Sequence, residues 1–259
     1  MSEATVYAIA SGKGGVGKTT TAVNLGSSLA QLGVRVAIVD ADLSMANLGG
    51  FVGLATAEPT IHEVLAGEAQ LSEATYRVSE NVLIVPGGSD LDLYADASIE
   101  ELRDVVSTLR KQANVVLLDV GAGVSHESIL PLGLADGVIL VSTPEPASVR
   151  DVRKTLELID RAGGEPEGLL VTLMREERDV DPSKIAETLE VPLLGAIPFD
   201  PAVRESMYAN TPLVVKHPES PAAVAYRRLA AALGSSDEQS TDGGSASDDE
   251  ISQAIGDPD

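Results

Sequence analysis

The sequence of 259 residues has no cysteine and no tryptophan, and aromatic residues make up only 3% of it. The absence of cysteine excludes disulfides, thiol catalysis and iron–sulfur ligation by thiolates. No apolar run reaches the roughly 18 residues that a membrane-spanning helix needs. The three histidines, His62, His126 and His217, are scattered and lack metal-ligand spacing. The first residues, Met1-Ser2-Glu3, carry neither the basic segment nor the apolar core of a signal peptide, so we expect a cytoplasmic protein.

Basic residues are also scarce. The chain has 18 Lys and Arg against 40 Asp and Glu, which gives a formal net charge of −22. Such a surface repels nucleic acid and anionic lipid at ordinary salt concentrations. Because salt screening makes dense like charge tolerable, an acidic and lysine-poor chain is typical of a cytoplasm with molar salt. We therefore expect an extremely halophilic source.

A glycine-rich stretch near the N-terminus fits the phosphate-binding pattern G-x-x-x-x-G-K-[ST]. The apolar run Val6–Ala10 before it predicts a strand, and Thr19–Leu32 after it predicts a helix. This strand–loop–helix context is what the motif requires. The predicted nucleotide-binding residues of this stretch are Gly12, Lys13, Gly14, Gly15, Val16, Gly17, Lys18, Thr19 and Thr20.

These residue types suit a triphosphate and its metal ion. Glycines let backbone N–H groups converge on phosphate oxygens, and the N-terminus of the following helix adds positive potential. Lys18 is expected to hold the β- and γ-phosphates, and the hydroxyl of Thr19 is expected to ligate Mg²⁺.

The rest of the chain alternates between apolar strands and amphipathic helices. The predicted later strands are Val34–Val39, Val82–Pro86, Val115–Leu118, Val138–Ser142, Leu169–Leu173 and Leu193–Ile197. The predicted helices are a helix-rich insertion over about 60–74, one behind a capping box at Ser98–Glu101, and Ala147–Arg161, Pro182–Leu189 and Pro221–Leu233. The pattern predicts an α/β fold with a mostly parallel, twisted sheet covered by helices on both faces.

The composition changes after residue 234. Residues 235–259 contain eight acidic residues and no basic one, together with many Ser and Gly. Such a segment buries too little apolar surface to fold alone. We therefore predict one domain over 1–234 and an acidic disordered tail over 235–259.

Polar side chains follow several of the predicted strands. Thr19, Asp40, Asp42, Asp119 and Asp200 all fall at or just beyond strand ends. Ligands of open parallel sheets bind at the carboxyl ends of the strands. The sequence therefore predicts that these five separate stretches meet at one site.

The second lysine of the loop, Lys13, gives K-G-G-V-G-K-T-T, which resembles the deviant Walker A motif of the MinD/ParA family of P-loop ATPases. The family's other motifs follow in the expected order over roughly residues 4–233. They are D-x-D at Asp40–Asp42, D-x-G-A-G at Asp119–Gly123, T-P-E at Thr143–Glu145 and P-x-D at Pro198–Asp200. The resemblance implies a P-loop NTPase fold, ATP and Mg²⁺ as ligands, and a homodimer that forms on ATP binding.

The resemblance also implies a role for each matched residue. Lys13 would reach across the dimer to the partner's nucleotide, acting in catalysis with Lys18 and with Asp42, which would orient the attacking water. Asp40 and Asp119 would join Thr19 around the metal.

Further contacts to the nucleotide follow from the same resemblance. Asn47 would sense the γ-phosphate, and the backbone N–H of Gly123 would turn towards it. Pro198 and Asp200 would lie against adenine.

Two departures and several absences narrow the class of protein. Gly121 stands where many members have proline, and Thr172 stands where the family often has asparagine. The missing cysteines oppose the iron–sulfur carriers of the family, and the net charge opposes DNA-binding partition proteins. An acidic tail lies where membrane-binding members carry a basic amphipathic helix, so the usual lipid anchor is not expected.

The MinD-like branch is therefore favoured, with the protein positioning division, motility or chemosensory machinery through an unidentified protein partner. A ParA-like partition ATPase, a metabolic amidoligase-type P-loop enzyme and a degenerate nucleotide binder remain the alternatives.

The charge of the chain leads to the first prediction. We expect the melting temperature to rise as KCl is increased from dilute buffer to about 3 M, because screening shortens the range of repulsion between carboxylates. Circular dichroism melts across this series measure it. A melting temperature that does not change with KCl would contradict the halophilic interpretation.

Overall fold

The computed structural model describes residues 3–88, 97–123, 126–175 and 178–241. Its centre is an eight-stranded sheet with the order β3-β4-β2-β5-β1-β6-β7-β8. The strands are β1 (Thr5–Ala10), β2 (Val36–Ala41), β3 (Tyr76–Ser79), β4 (Val82–Val85), β5 (Val115–Val120), β6 (Gly137–Ser142), β7 (Pro166–Met174) and β8 (Leu193–Pro198). All neighbouring pairs are parallel except β3 and β4. The predicted mostly parallel sheet is therefore confirmed.

Helices cover both faces of this sheet. They are α1 (Lys18–Gln31), α2 (Leu48–Phe51), α3 (Ile61–Leu65), α4 (Leu102–Leu109), α5 (His126–Leu134), α6 (Pro146–Ala162), α7 (Pro182–Leu189), α8 (Pro201–Tyr208), α9 (Leu213–Lys216) and α10 (Pro221–Thr241). One core lies under α1 and α10, and a second core lies under α4, α6 and α7.

The central strands are apolar throughout because each one contributes to both cores. In β1, Val6 and Ala8 belong to the core under α4, α6 and α7, whereas Tyr7 and Ile9 belong to the core under α1 and α10. Side chains alternate between the faces of a sheet, so a strand covered on both sides needs an unbroken apolar run. This is the physical reason for the continuous pattern in the sequence.

The register of the strands brings polar residues together at one edge of the sheet. Asp40 pairs with Asp119 in β2 and β5, and Ile9, one residue before the end of β1, also pairs with Asp119. The strand ends therefore converge on the loop that follows β1.

The capping-box prediction at Ser98 was wrong. The helix there begins with a 3₁₀ turn, and Ser98 Oγ donates to Glu100 Oε2 at 3.1 Å instead of capping it. A capping box does form at Thr60, whose backbone N–H donates to Glu63 Oε2 at 2.8 Å. The helix behind Thr60 ends at Leu65, so the predicted insertion over 60–74 contains only a short helix.

The last helix is longer than its apolar pattern. α10 continues to Thr241, into the predicted tail, whereas the prediction ended at Leu233. Propagation of a helix needs only one more backbone bond for each residue, so a helix extends beyond its buried stripe. The rest of the tail, 242–259, lies outside the described residues. Among the helices that are described, none is long and apolar enough to cross a membrane.

Candidate nucleotide-binding site

The loop between β1 and α1 has the backbone of a phosphate cradle. Gly15 and Gly17 have φ angles of 78° and 95°, which glycine adopts without strain. Gly17 is the N-cap of α1, and no side-chain capping bond is formed there within the described chain. The N–H groups of the first helical turn are therefore available to an anion.

The first glycine of the motif has a packing role. A Cβ atom built on Gly12 would overlap the backbone carbonyl of Asp151 in α6. Gly12 therefore lets α6 approach the loop closely. The sequence motif assigns this glycine to phosphate binding, and its contact with a residue far along the chain could not be read from it.

Lys18 lies in the floor of the site. It is buried, and burial lowers the pKa of its ammonium group, while the charges of Asp119 and Asp42 oppose that shift. A cation held beside two carboxylates stays charged more readily than an isolated buried lysine. Lys13, in contrast, is exposed.

Thr19 and Asp119 form the candidate metal site. Thr19 Oγ1 donates to Asp119 Oδ2 at 2.5 Å. The other oxygen, Oδ1, is buried and has no hydrogen-bond partner among the residues that the structure describes. Burial raises the pKa of Asp119 to about 6, although the Thr19 bond and the charge of Lys18 oppose the shift. A buried carboxylate with an unused oxygen calls for a cation.

Magnesium fits this pair of ligands. Mg²⁺ prefers oxygen ligands and is commonly held by one or two carboxylates together with the phosphates of a nucleotide. No group of three or more His, Cys, Asp or Glu side chains that could hold a metal occurs in the described part of the chain. The residues therefore fit a metal ion that arrives with phosphates.

Asp40 lies beside Asp119 and accepts three hydrogen bonds from backbone N–H groups. Its Oδ2 accepts from the N–H groups of Asn47 and Leu48, both at 2.9 Å, and its Oδ1 accepts from the Asp42 N–H at 3.3 Å. Burial, and after it the charge of Asp119, raises the pKa of Asp40 to about 8.

Asp42 lies closer to the solvent, where the loops after β2 and β5 meet. Its Oδ1 accepts from the Met45 N–H at 3.1 Å and from Ser44 Oγ at 3.2 Å. A Cβ atom built on Gly121 would lie 3.1 Å from the same oxygen. The glycine at this family departure thus lets the loop after β5 pass directly under the Asp42 carboxylate.

A cavity of about 430 Å³ runs from the loop to the ends of β7 and β8. Lys18, Thr19, Asp42 and Asn47 line the phosphate end. The residues around the other end are mainly apolar and include Leu173, Ile197, Pro198, Val203 and Met207. An apolar cleft with polar groups at one end is the usual form of a ligand site. Pro198, which the resemblance places against adenine, lines this part of the cavity.

Asp200 and Gly123, which the resemblance places at the nucleotide, form hydrogen bonds within the protein in this structure. Both carboxylate oxygens of Asp200 accept backbone N–H groups, from Ala202 at 2.9 Å and Ala222 at 3.2 Å, so Asp200 fixes the starts of α8 and α10. The Gly123 N–H donates to Ser11 O at 3.2 Å. Asn47 is the N-cap residue of α2 and lines the cavity.

Thr172 has a role that sequence reasoning missed. Its hydroxyl lies 2.6 Å from Val16 O and 3.1 Å from Ser142 O, so it ties the phosphate loop to β6 and β7. The next residue, Leu173, has a φ angle of 56°, which is uncommon for leucine, and its side chain lines the cavity. The sequence signal was present, since Thr172 departs from the family's asparagine, but the partner carbonyls lie far away in the chain.

A strand–loop–helix cradle with a buried lysine, an adjacent threonine and a strand-end aspartate defines a P-loop nucleotide-binding protein. The family model for ParA, described as NUBPL iron-transfer P-loop NTPase, matches residues 3–234. The chain belongs to this ParA/MinD family.

Individual relatives agree with this assignment. An ATP-binding protein of Methanocaldococcus jannaschii is 40% identical over 231 residues, which cover 89% of this chain and 88% of the relative. The septum site-determining protein MinD of Bacillus subtilis is 33% identical over 240 residues, which cover 89% of this chain and 88% of the relative. The solved structure of MinD from Pyrococcus horikoshii complexed with Mg-ADP is 36% identical, with a TM-score of 0.84, and covers 89% of this chain and 96% of that one.

The buried carboxylate of Asp119 generates a prediction about stability. Its pKa is higher in the folded chain than the ordinary 3.8, so its contribution to stability is lost as the pH rises through about 6. At pH 8 we expect nucleotide-free Asp119→Asn to melt at least about 2 °C above the wild type. The same variant should lose the Mg²⁺-dependent gain in nucleotide affinity.

Scanning calorimetry at pH 8 and pH 5 measures this effect, with the exposed Asp104→Asn as the control. The gain should shrink at pH 5, where the wild-type carboxyl is protonated. An Asp119→Asn protein that is less stable at pH 8 and keeps its Mg²⁺ dependence would contradict the assignment.

The hydroxyl of Thr172 generates a second prediction. Thr172→Val removes the bond to Val16 O, so we expect nucleotide affinity to fall about 2- to 10-fold, as for the loss of one hydrogen bond. Thr172→Ser keeps the hydroxyl and should stay close to the wild type. Titration with a fluorescent ADP analogue measures both, and equal affinity in the valine variant would refute the role.

Proposed function

We propose that the protein is a MinD-like ATPase that binds and hydrolyses ATP with Mg²⁺. ATP-dependent homodimerisation acts as a switch that positions division, motility or chemosensory machinery. The observation that carries the proposal is the contrast between two lysines of one loop, since Lys18 is buried beside Asp119 whereas Lys13 is exposed. Lys18 would serve the phosphates of its own site, and the exposed Lys13 would serve the site of a second copy, as the family resemblance implies.

The residues of one chain would divide the chemistry of hydrolysis among them. Lys18 and the loop N–H groups would bind the β- and γ-phosphates, and Thr19 and Asp119 would hold Mg²⁺, which would supply neutralisation of charge on the phosphate oxygens. Asp42, at the mouth of the site, orients the attacking water.

The γ-phosphate would also change the loops. Asn47 would contact it from the start of α2, and the Gly123 N–H, which donates to Ser11 O at 3.2 Å, would turn to it. That exchange of partners links the presence of ATP to the loop after β5. Lys13 would then reach the nucleotide of a second copy and close the dimer.

The MinD relative from Pyrococcus horikoshii is complexed with Mg-ADP, which supports the choice of nucleotide and metal. The net charge of −22 favours a protein partner over nucleic acid or anionic lipid. We expect a cytoplasmic protein that reaches the pole or the membrane through such a partner.

Light scattering after size exclusion tests the switch. In about 2–3 M KCl, where the Debye length is below about 3 Å, we expect monomers with ADP and dimers with ATP. Asp42→Ala should keep the ATP-bound dimer because its hydrolysis is slowed at least about 100-fold. Lys13→Ala should bind nucleotide through Lys18 but stay monomeric.

Phosphate release measured without any small-molecule acceptor completes the test. Turnover that requires an acceptor would support the amidoligase alternative instead. If the protein binds ADP and ATP tightly, stays monomeric with both and releases no phosphate, the result would support the degenerate nucleotide binder.

A further inference from the structure

We propose that Asp40 is a positioning residue of the loop 42–48 and that it does not ligate the metal ion. The inference rests on the proposed function, because its consequence is the placement of Asp42 for hydrolysis. It reassigns a carboxylate that the sequence placed in the metal site.

The carboxylate of Asp40 joins the two ends of the loop. Oδ1 accepts from the N–H of Asp42, where the loop begins, and Oδ2 accepts from the N–H groups of Asn47 and Leu48, where the loop passes into α2. The side chain is 1% exposed. One buried group thus fixes both ends of a segment whose middle residue, Met45, is 76% exposed.

The packing behind the loop closes off the same carboxylate. A Cβ atom built on Gly87, after β4, would overlap Ala46 Cβ and lie 3.2 Å from Asp40 Oδ2. His62 holds the same region, with Nε2 2.9 Å from Leu43 O and Nδ1 accepting from the Gly88 N–H at 2.8 Å. The backbone after β4 and the imidazole of His62 therefore pack against the loop 42–48 on the side opposite the candidate nucleotide site.

Asp119, beside it in the sheet, has the opposite environment. One of its oxygens accepts from Thr19 Oγ1, and the other is buried without a partner in the described structure. A metal ligand needs a lone pair directed at the metal, whereas three of the roughly four lone-pair sites of the Asp40 carboxylate accept N–H groups, whose positive ends repel a cation. Of these adjacent carboxylates, Asp40 therefore holds the loop 42–48, and Asp119 is the one available to a metal ion.

We call the three hydrogen bonds from the loop 42–48 to the Asp40 carboxylate the brace. The brace affects catalysis through Asp42. The N–H of Asp42 is tied to Asp40, and its own Oδ1 is oriented by Ser44 and Met45. If the brace is removed, the Asp42 carboxylate loses its fixed position over Gly121 and orients water poorly. The affinities for the metal and for ADP, which has no γ-phosphate for Asn47 to contact, should remain, since Lys18, Thr19 and Asp119 are unchanged.

The test compares Asp40→Asn with Asp119→Asn, the same substitution at the paired position of the neighbouring strand. We expect Asp40→Asn to lower kcat at least about 10-fold while the Mg²⁺ concentration for half-maximal turnover stays within about 3-fold. Asp119→Asn should raise that Mg²⁺ concentration at least about 10-fold. Amide hydrogen exchange of Asn47 and Leu48 should accelerate in Asp40→Asn alone.

Gly87→Ala is a second variant, in which the added methyl group would displace Ala46 and the Asp40 carboxylate. This substitution neither adds nor removes a side chain that could bind a metal ion. It should repeat the loss of kcat and the faster exchange at normal Mg²⁺, whereas Gly50→Ala, where a Cβ atom meets nothing within 4 Å, should behave as the wild type. An Asp40→Asn protein that needs as much extra Mg²⁺ as Asp119→Asn, with Asn47 and Leu48 still protected, would overturn the proposal. If the wild type hydrolyses no ATP, the proposed function fails, and the exchange of these amides still decides on the brace.

Discussion

The candidate site depends on the burial of two carboxylates side by side on adjacent parallel strands. Asp40 and Asp119 pair in register, and both side chains are nearly inaccessible to solvent. Burial raises the pKa values of both carboxyl groups above the ordinary value, and the charge of Asp119 adds to the shift of Asp40. The surrounding loops are arranged to compensate these charges, with backbone N–H groups around Asp40 and with Thr19 and Lys18 around Asp119.

This compensation is incomplete at the oxygen of Asp119 that has no partner in the described chain. A nucleotide would bring several more negative charges to the same place, and a divalent cation bound with it would offset them. The unpartnered oxygen of Asp119 and the proposed binding of Mg²⁺ thus have the same origin. Buried titratable groups with shifted pKa values cluster at functional sites.

Much of this architecture could be predicted from the sequence because it depends on patterns among residues that are close together in the chain. Unbroken apolar strands gave the parallel sheet, and the spacing of glycines and lysines around Lys18 gave the loop. The contacts that could not be predicted join distant segments. Thr172 reaches Val16, Asp200 caps α10, and Gly12 admits α6, and each depends on how elements pack after the sheet has formed.

The acidic surface places a physical condition on the proposed dimer. Two copies that each carry a net charge of −22 repel each other at long range, and few cations are available to oppose this. At molar salt the Debye length falls to about 3 Å, so distant carboxylates no longer interact while direct contacts persist. An exposed Lys13 that touches a phosphate of the partner's nucleotide is a contact of this short-range kind. High salt would therefore favour association that depends on the bound nucleotide over association that depends on overall charge.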